Sequence, residues 1–148
     1  MPATVESKIR TRAFARVLGP FLVLVPGIII LRAPDIESIL RSFFQNDVIV
    51  WFAGAFLLFC GLLIIAFHQY WSSTAAVMIS LFGWFLALRG LLLLAAPQVI
   101  ARGADAAIKF LPAVRVGFSI LVLAGLWLTY VGWFVKPPGD QGVGGGQN

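Results

Sequence analysis

The stretch VIVWFAGAFLLFCGLLIIAF, residues 48–67, contains no charged residue and decides the fold class of this chain. A hydrocarbon core about 30 Å thick needs about 20 residues of α-helix to cross it. Backbone groups inside lipid must find hydrogen-bond partners within their own segment, which a helix provides. Residues 48–67 therefore predict a transmembrane α-helix.

Three further stretches have the same character, at residues 14–31, 74–95 and 116–134. Of the 148 residues, 60% are hydrophobic and only 11% are charged, whereas about a quarter of the residues of a soluble domain are charged. The sequence predicts an all-α membrane protein with four transmembrane helices in one domain, residues 14–135. A basic segment precedes this domain at 1–13, and a disordered Pro/Gly-rich tail is expected at 136–148.

The four spans form an internal repeat, in which a unit of two helices occurs twice in tandem. A shift of 63 residues places Gly27 on Gly90 and Pro34 on Pro97, so Gly and Pro recur at the same places relative to a helix end. Because each unit contains two spans, both copies would have the same orientation in the membrane. We expect two tandem helical hairpins that form a parallel repeat.

Each unit also contains an amphipathic connector between its spans, at residues 34–46 and 97–111. Five apolar residues of the first connector recur at helical spacing and form one stripe: Ile36, Ile39, Leu40, Phe43 and Phe44. The second connector carries a weaker version of the stripe. We expect both connectors to lie at the membrane surface, with Phe43 and Phe44 as candidate contacts to lipid or to a partner.

Arg89 is the only formal charge well inside a span, which marks it as a candidate functional residue. It can be an anchor whose side chain extends to the headgroups, a contact to a lipid phosphate or a partner, or a transport or gating residue. Gly83, Ala87 and Gly90 form a small-residue face on the same helix, and such faces allow close helix packing.

His68 is the only histidine, and it stands where the second span meets water, followed by Tyr70 and Trp71. An aromatic belt at headgroup level accounts for these residues, so His68 and Trp71 are candidate lipid or partner contacts. One histidine and one cysteine, Cys60, do not suffice for a bis-histidine haem or a multi-thiolate metal site. We predict no cofactor, no metal site and no catalytic residue.

The positions of the acidic residues argue against a proton- or cation-coupled carrier, because all of them lie outside the apolar cores. They are Glu6, Asp35, Glu37, Asp47, Asp105 and Asp140. Proton- or cation-coupled carriers usually place a carboxylate within the membrane. The net charge of +5 comes from a few basic residues beside apolar spans, which favours lipid headgroups over nucleic acid.

The distribution of Lys and Arg gives only a weak signal for the orientation of the chain in the membrane. Four spans place both termini on one side, and each side then carries five Lys and Arg residues. Because the basic residues before the first span usually dominate, we expect both termini in the cytoplasm.

One local pattern carries a resemblance. GLLIIAFHQYW at 61–71 is followed by Gly83-Trp84 and by Arg89-Gly90. The pattern resembles small bacterial inner-membrane proteins of uncharacterised activity, which have a G-L-x5-H-[NQ]-x-W stretch before a G-W-x4-[KR]-G helix. The resemblance covers about residues 20–100 and implies a location in the bacterial cytoplasmic membrane, multi-pass, but no activity.

These observations favour a non-enzymatic integral membrane protein that acts through contacts, as an accessory subunit, assembly factor or scaffold. Its expected partners are membrane lipids and other membrane proteins, or further copies of itself in a homo-oligomer. One alternative is a small, oligomeric transporter or channel. A second alternative is a lipid-binding or membrane-shaping protein.

Overall fold

The computed structural model describes residues 5–68 and 70–135 of the chain, and the predicted tail at 136–148 lies outside these ranges. The described residues form six α-helices and a short 3₁₀ turn at Ala33–Asp35. The helices are α1 (Val5–Leu31), α2 (Ile36–Phe44), α3 (Asp47–Phe67), α4 (Thr74–Ala95), α5 (Pro97–Lys109) and α6 (Leu111–Trp133).

Helices α1, α3, α4 and α6 are long and apolar enough to cross a membrane, which confirms the predicted fold class. Two of them begin at side-chain caps. The Asn46 side chain accepts a hydrogen bond from the Ile49 N–H at 3.2 Å, and the Ser73 hydroxyl accepts one from the Ala76 N–H at 3.2 Å. Each cap satisfies an N–H group that has no partner within its own helix.

The two outer spans begin earlier than their apolar cores. Helix α1 begins at Val5 rather than near residue 14, and α6 begins at Leu111 rather than near residue 116. Hydropathy marks only the part of a helix that suits hydrocarbon, whereas the helix itself continues through the headgroup region. Basic side chains such as Arg10 and Arg115 are tolerated there because the headgroups and water solvate them.

The spans pair differently from the predicted hairpins. Helix α1 packs along α6, and α3 packs along α4, each pair antiparallel. The two pairs meet over a shorter contact between α1 and α4, and the connectors α2 and α5 also touch. The most extensive contact between helices therefore joins the first and the last of the four spans.

This pairing retains the two-fold character of a parallel repeat, because exchanging the two units exchanges the two helix pairs. Gly61 of α3 lies against the backbone of α4 at Gly83 and Ala87. Gly125 of α6 lies in the same way against α1 at Gly19 and Val23, and each of these residues is 64 positions from its counterpart. The packed faces thus repeat at 64 residues, one more than the spacing of the Gly and Pro residues at the helix ends.

The bundle has two different ends. At the terminal end, where α1 begins and α6 finishes, a core of buried side chains joins all four spans. It consists of Ala15, Leu18, Leu22, Ile64, Ala75, Ile79 and Leu128. At the opposite, connector end lie α2 and α5, in which no residue is fully buried.

Candidate functional site

The most enclosed polar group among the described residues is the side chain of His68, at the terminal end of the bundle. Its relative exposure is 0%. His68 follows the last residue of α3, and its N–H donates to the Ile64 carbonyl at 2.8 Å, which continues the helical pattern by one residue. The ring then turns inward, between α1 and α4.

Two hydroxyl groups hold the imidazole ring. Its Nε2 lies 3.0 Å from the Thr11 Oγ1, and its Nδ1 lies 3.4 Å from the Ser80 Oγ. The Ser80 hydroxyl is also placed to donate to the carbonyls of His68 and Tyr70, at 3.1 Å and 3.2 Å. When Ser80 donates its proton to a carbonyl, its oxygen accepts from Nδ1–H, and Nε2 is free to accept from Thr11. A neutral ring with the proton on Nδ1 is therefore fully satisfied.

Aromatic rings complete the enclosure. The Phe14 and Tyr70 rings lie edge-on to the imidazole, with centroids at 5.2 Å and 5.5 Å. Burial lowers the pKa of His68 below its usual value of 6.5, and a hydrogen bond between the ring and the backbone of the same residue opposes that shift only in part. The ring is therefore neutral near pH 7, and it is a fixed polar contact among α1, α3 and α4.

This position differs from the expected one. A side chain with 0% exposure is not available to lipid or to a partner, so His68 is not a member of an aromatic belt. A residue at the end of an apolar run can turn toward water or toward the core, and here two inward hydroxyl groups satisfy it. Trp71 is 59% exposed and remains a surface residue.

A second polar cluster lies at the same end, where α6 finishes. The Nε–H groups of Arg12 and Arg16 both donate to the carbonyl oxygen of Gly132, at 3.0 Å and 2.9 Å. Gly132 is one residue from the last residue of α6, so its carbonyl has no partner within the helix. The Arg16 guanidinium also lies over the Trp133 ring, with Cζ 5.8 Å from the centroid.

The two clusters occupy equivalent places in the repeat. Ser80 of α4 donates to the final turn of α3 at His68, and Arg16 of α1 donates to the final turn of α6 at Gly132. Ser80 and Arg16 are 64 residues apart, as are His68 and Gly132. In each helix pair, the side chain at the equivalent position therefore caps the carboxyl end of the neighbouring helix: Ser80 of α4 caps α3, and Arg16 of α1 caps α6 together with Arg12.

The remaining candidate residues are dispersed. Arg89 is exposed on the outer surface of α4, and within the described part of the chain it has no ion pair or hydrogen bond from its side chain. Phe43 and Phe44 are half-buried and pack edge-on against each other at 5.0 Å. They lie at the connector end, so the structure does not bring them together with His68.

The small-residue face of α4 is its contact with α3. Gly83, Ala87 and Gly90 are buried there. A Cβ atom added to Gly83 would lie 2.6 Å from the Ile64 Cγ2, and one added to Gly90 would lie 2.7 Å from the Gly54 carbonyl oxygen. These residues serve internal packing, so they are not available to another protein.

Sequence reasoning missed Thr11, Ser80, Arg12 and Arg16. A signal for Thr11 is present, because it continues the helical stripe of Ala15, Leu18 and Leu22 on α1 and must face the same way. Ser80 similarly lies on the buried side of α4. A polar residue on an inward-facing stripe indicates a buried hydrogen bond.

The arrangement holds helices together, and the described residues around it leave His68 and Ser80 almost closed to solvent. Ser80, the hydroxyl beside the histidine, is only 2% exposed. In residues 5–68 and 70–135 no group of three or more His, Cys, Asp or Glu side chains is placed to hold a metal ion. Within those same ranges every buried side-chain nitrogen and oxygen atom has a hydrogen-bond partner.

Comparison with known proteins adds no family to this description. No protein-family model, no curated protein and no solved structure matches the chain.

Proposed function

We propose that this integral membrane protein is non-enzymatic and acts as an accessory subunit, assembly factor or scaffold through contacts between helices. The proposal places it in a bacterial cytoplasmic membrane, as the resemblance over about residues 20–100 implies. Its supporting feature is a mismatch between the composition of α6 and its exposure.

The most apolar 18-residue stretch of α6 is less apolar than the corresponding stretch of the other three spans, and it is also the least covered. Only 11% of it is buried inside the described structure, against 22% to 39% for the other three spans. A span that faces only lipid is expected to be the most apolar, because lipid cannot satisfy polar groups. A second protein that packs on α6 would account for both properties.

The exposed face of α6 carries residues that suit such a contact. Arg115 and Ser119 are four residues apart and lie on the same side of the helix, and both are exposed in its first half. The Ser119 hydroxyl donates to the Arg115 carbonyl at 2.9 Å, so it is satisfied within the helix and costs little to place against another apolar helix. Val116 and Leu123, three residues before and four after Ser119, are 60% and 65% exposed, so the other described residues leave this face uncovered.

Site-specific photo-crosslinking in native membranes tests the proposal. A photoreactive phenylalanine analogue at Ser119 is expected to give one discrete protein adduct, because the partner helix lies there. The same analogue at Phe56, which is 57% exposed on α3, is the matched control and should yield lipid adducts only. The adduct then defines the partner by mass spectrometry.

A blocking substitution makes the test specific. Val116→Trp adds bulk on the exposed side of α6, about one turn before Ser119, so it should leave the fold intact and abolish the Ser119 adduct. If Ser119 yields no protein adduct in native membranes, or if the adduct persists in Val116→Trp, a partner on α6 is excluded and the proposal fails.

The proposal also assigns both termini to the cytoplasm, because Lys8, Arg10, Arg12 and Arg16 precede or begin the first span. Cysteines introduced at Lys8 and at Arg102 in a Cys60→Ala background would test it. A membrane-impermeant maleimide added to intact cells should label only the cysteine at 102. Labelling of the cysteine at position 8 alone would show that the amino terminus lies outside the cytoplasm, which contradicts the proposed orientation.

A further inference from the structure

The paired arginines at the end of α6 form a surface feature that the scaffold proposal does not use. We infer that Arg12 and Arg16 bind the phosphate of an anionic phospholipid headgroup, at a fixed site beside the end of α6. The inference rests on how the two side chains are held, on their charge and on their position in the bundle.

The two guanidinium groups are fixed side by side with donors to spare. Both use Nε–H to bind the same Gly132 oxygen, within 3.0 Å. Each guanidinium has five N–H donors, so its four terminal N–H groups are not consumed by this contact. A planar pair of terminal donors matches two oxygens of a phosphate, which is why arginine favours bidentate phosphate recognition.

None of the acidic residues that the structure describes pairs with Arg12 or Arg16. The nearest acidic residue in sequence, Glu6, binds Arg10 at 2.6 Å. The carboxyl end of α6 supplies about half a negative charge. Two positive charges beside half a negative charge leave a site that attracts an anion.

The depth of the pair in the membrane identifies the anion as a lipid headgroup. The pair lies where α1 enters and α6 leaves the bundle, beside Trp133, which is 59% exposed. Exposed tryptophan at the end of a span is typical of the headgroup level. The phosphate of a phospholipid is held at this depth at high local concentration, whereas a free phosphate must come from water.

An anionic headgroup suits the site better than a zwitterionic one. Phosphatidylcholine carries a choline cation beside its phosphate, and that cation would lie close to Arg12 and Arg16. Phosphatidylglycerol carries no such cation. The expected preference is about tenfold or more, because each Lys or Arg near an anionic surface contributes about 1 kcal/mol to binding.

Lipid competition measured by native mass spectrometry tests the inference on the full-length protein. Equimolar phosphatidylglycerol and phosphatidylcholine are added in detergent, and the bound fractions are compared. The double variant Arg12→Gln with Arg16→Gln should lose the preference for phosphatidylglycerol. The matched control, Arg102→Gln with Arg115→Gln, removes the same charge at the connector end and should retain it. An equal loss in both double variants would mean that only net charge matters, which overturns a site.

A lysine pair separates geometry from charge. Arg12→Lys with Arg16→Lys keeps both positive charges but lacks the planar fork, so the preference should fall several-fold. An unchanged preference would overturn bidentate recognition. An excess of inorganic phosphate should leave lipid binding intact, and full displacement by inorganic phosphate would reassign the site to a soluble anion.

A fluorescence measurement remains valid if the arginine variants fail to fold. In a protein whose other four tryptophans are replaced by phenylalanine, all four being exposed, Trp133 is the only tryptophan reporter. Brominated phosphatidylglycerol should quench it more strongly than brominated phosphatidylcholine at equal content. Equal quenching by the two lipids would overturn the inference.

Discussion

Two glycines, Gly61 and Gly125, give a quantitative test of the helix pairing. A Cβ atom added to Gly61 would meet the Ala87 backbone nitrogen, the Ala87 Cα at 2.7 Å and the Gly83 oxygen at 2.8 Å. A Cβ atom added to Gly125 would lie 2.8 Å from the Leu22 carbonyl carbon and from the Val23 nitrogen. All these neighbours are backbone atoms, so no side chain can rotate away, and the helices must separate.

The expected loss follows from that separation. Non-bonded heavy atoms prefer about 3.5–4.0 Å, so a methyl group at either glycine pushes its helix pair apart by about 1 Å. A shift of this size removes about a third of the dispersion energy at each nearby contact. For about 40 contacts of about 0.15 kcal/mol each, the loss is about 2 kcal/mol. This agrees with the usual cost of overpacking, about 1–3 kcal/mol.

The measurement is the free energy of unfolding in mixed micelles with increasing sodium dodecyl sulfate. The packing loss of about 2 kcal/mol is offset by up to about 1 kcal/mol, because alanine favours a helix more than glycine does. Gly61→Ala and Gly125→Ala should therefore each lower the unfolding free energy by about 1–2 kcal/mol, and by similar amounts, because the two sites are equivalent in the repeat. Gly27→Ala and Gly117→Ala are the controls, since an added Cβ meets nothing within 4 Å at either position. Removing glycine from a helix should make these controls neutral or slightly more stable.

The reasoning would be refuted if either test variant unfolds with a free energy within about 0.5 kcal/mol of the parent, the usual range for surface changes. It would also be refuted if the controls lose as much as the test variants. If only Gly61→Ala loses stability, the close contact between α3 and α4 is supported, but the two helix pairs are not equivalent.

Three further predictions concern single residues. Because burial lowers the pKa of His68, the unfolded chain takes up a proton near pH 6.5 before the folded chain does, so the unfolding free energy should be constant above that pH. Below it the free energy should fall by at most about 1.4 kcal/mol per pH unit, and His68→Gln should abolish this dependence in a pH series of unfolding curves. Arg89→Gln should change the unfolding free energy by less than about 0.5 kcal/mol, since Arg89 is exposed, and a larger loss would reveal an internal partner. Ser73→Ala and Asn46→Ala should each cost about 1 kcal/mol in the same assay, whereas glycine at either cap should cost only a few tenths.

The sequence predicts the spans well because the membrane limits them. Helix α4 occupies residues 74–95 as expected, and α3 begins one residue before its predicted start. The hydrocarbon thickness fixes the length of an apolar helix, and caps such as Ser73 fix its start. The connectors follow from helical periodicity in the same way.

The pairing of the spans could not be read from the same signals. A small-residue stripe such as Gly83, Ala87 and Gly90 shows which face of α4 packs, but it does not identify α3 as the neighbour. The inward turn of His68 depends on Thr11, 57 residues away, and on Ser80. One polar residue after an apolar run has no periodicity, so its direction is set only by tertiary contacts.

His68 at the end of α3 and Gly132 at the end of α6 are equivalent positions of the repeat, but they have different roles. At Gly132 the absence of a side chain lets the α1 backbone approach, and an added Cβ would lie 2.8 Å from the Arg16 nitrogen. Arg12 and Arg16 therefore reach the carbonyl at the end of α6, and under the inference above their charge faces the headgroups. At the equivalent position, His68 fills the space between helices, and its ring reaches Thr11 of α1. A charged cap here would be buried with the ring, at a high desolvation cost, whereas the neutral Ser80 hydroxyl is not penalised. The caps of α6, Arg12 and Arg16, thus place charge at the end of the bundle. The cap of α3, Ser80, instead supports His68, which joins the two helix pairs through Thr11.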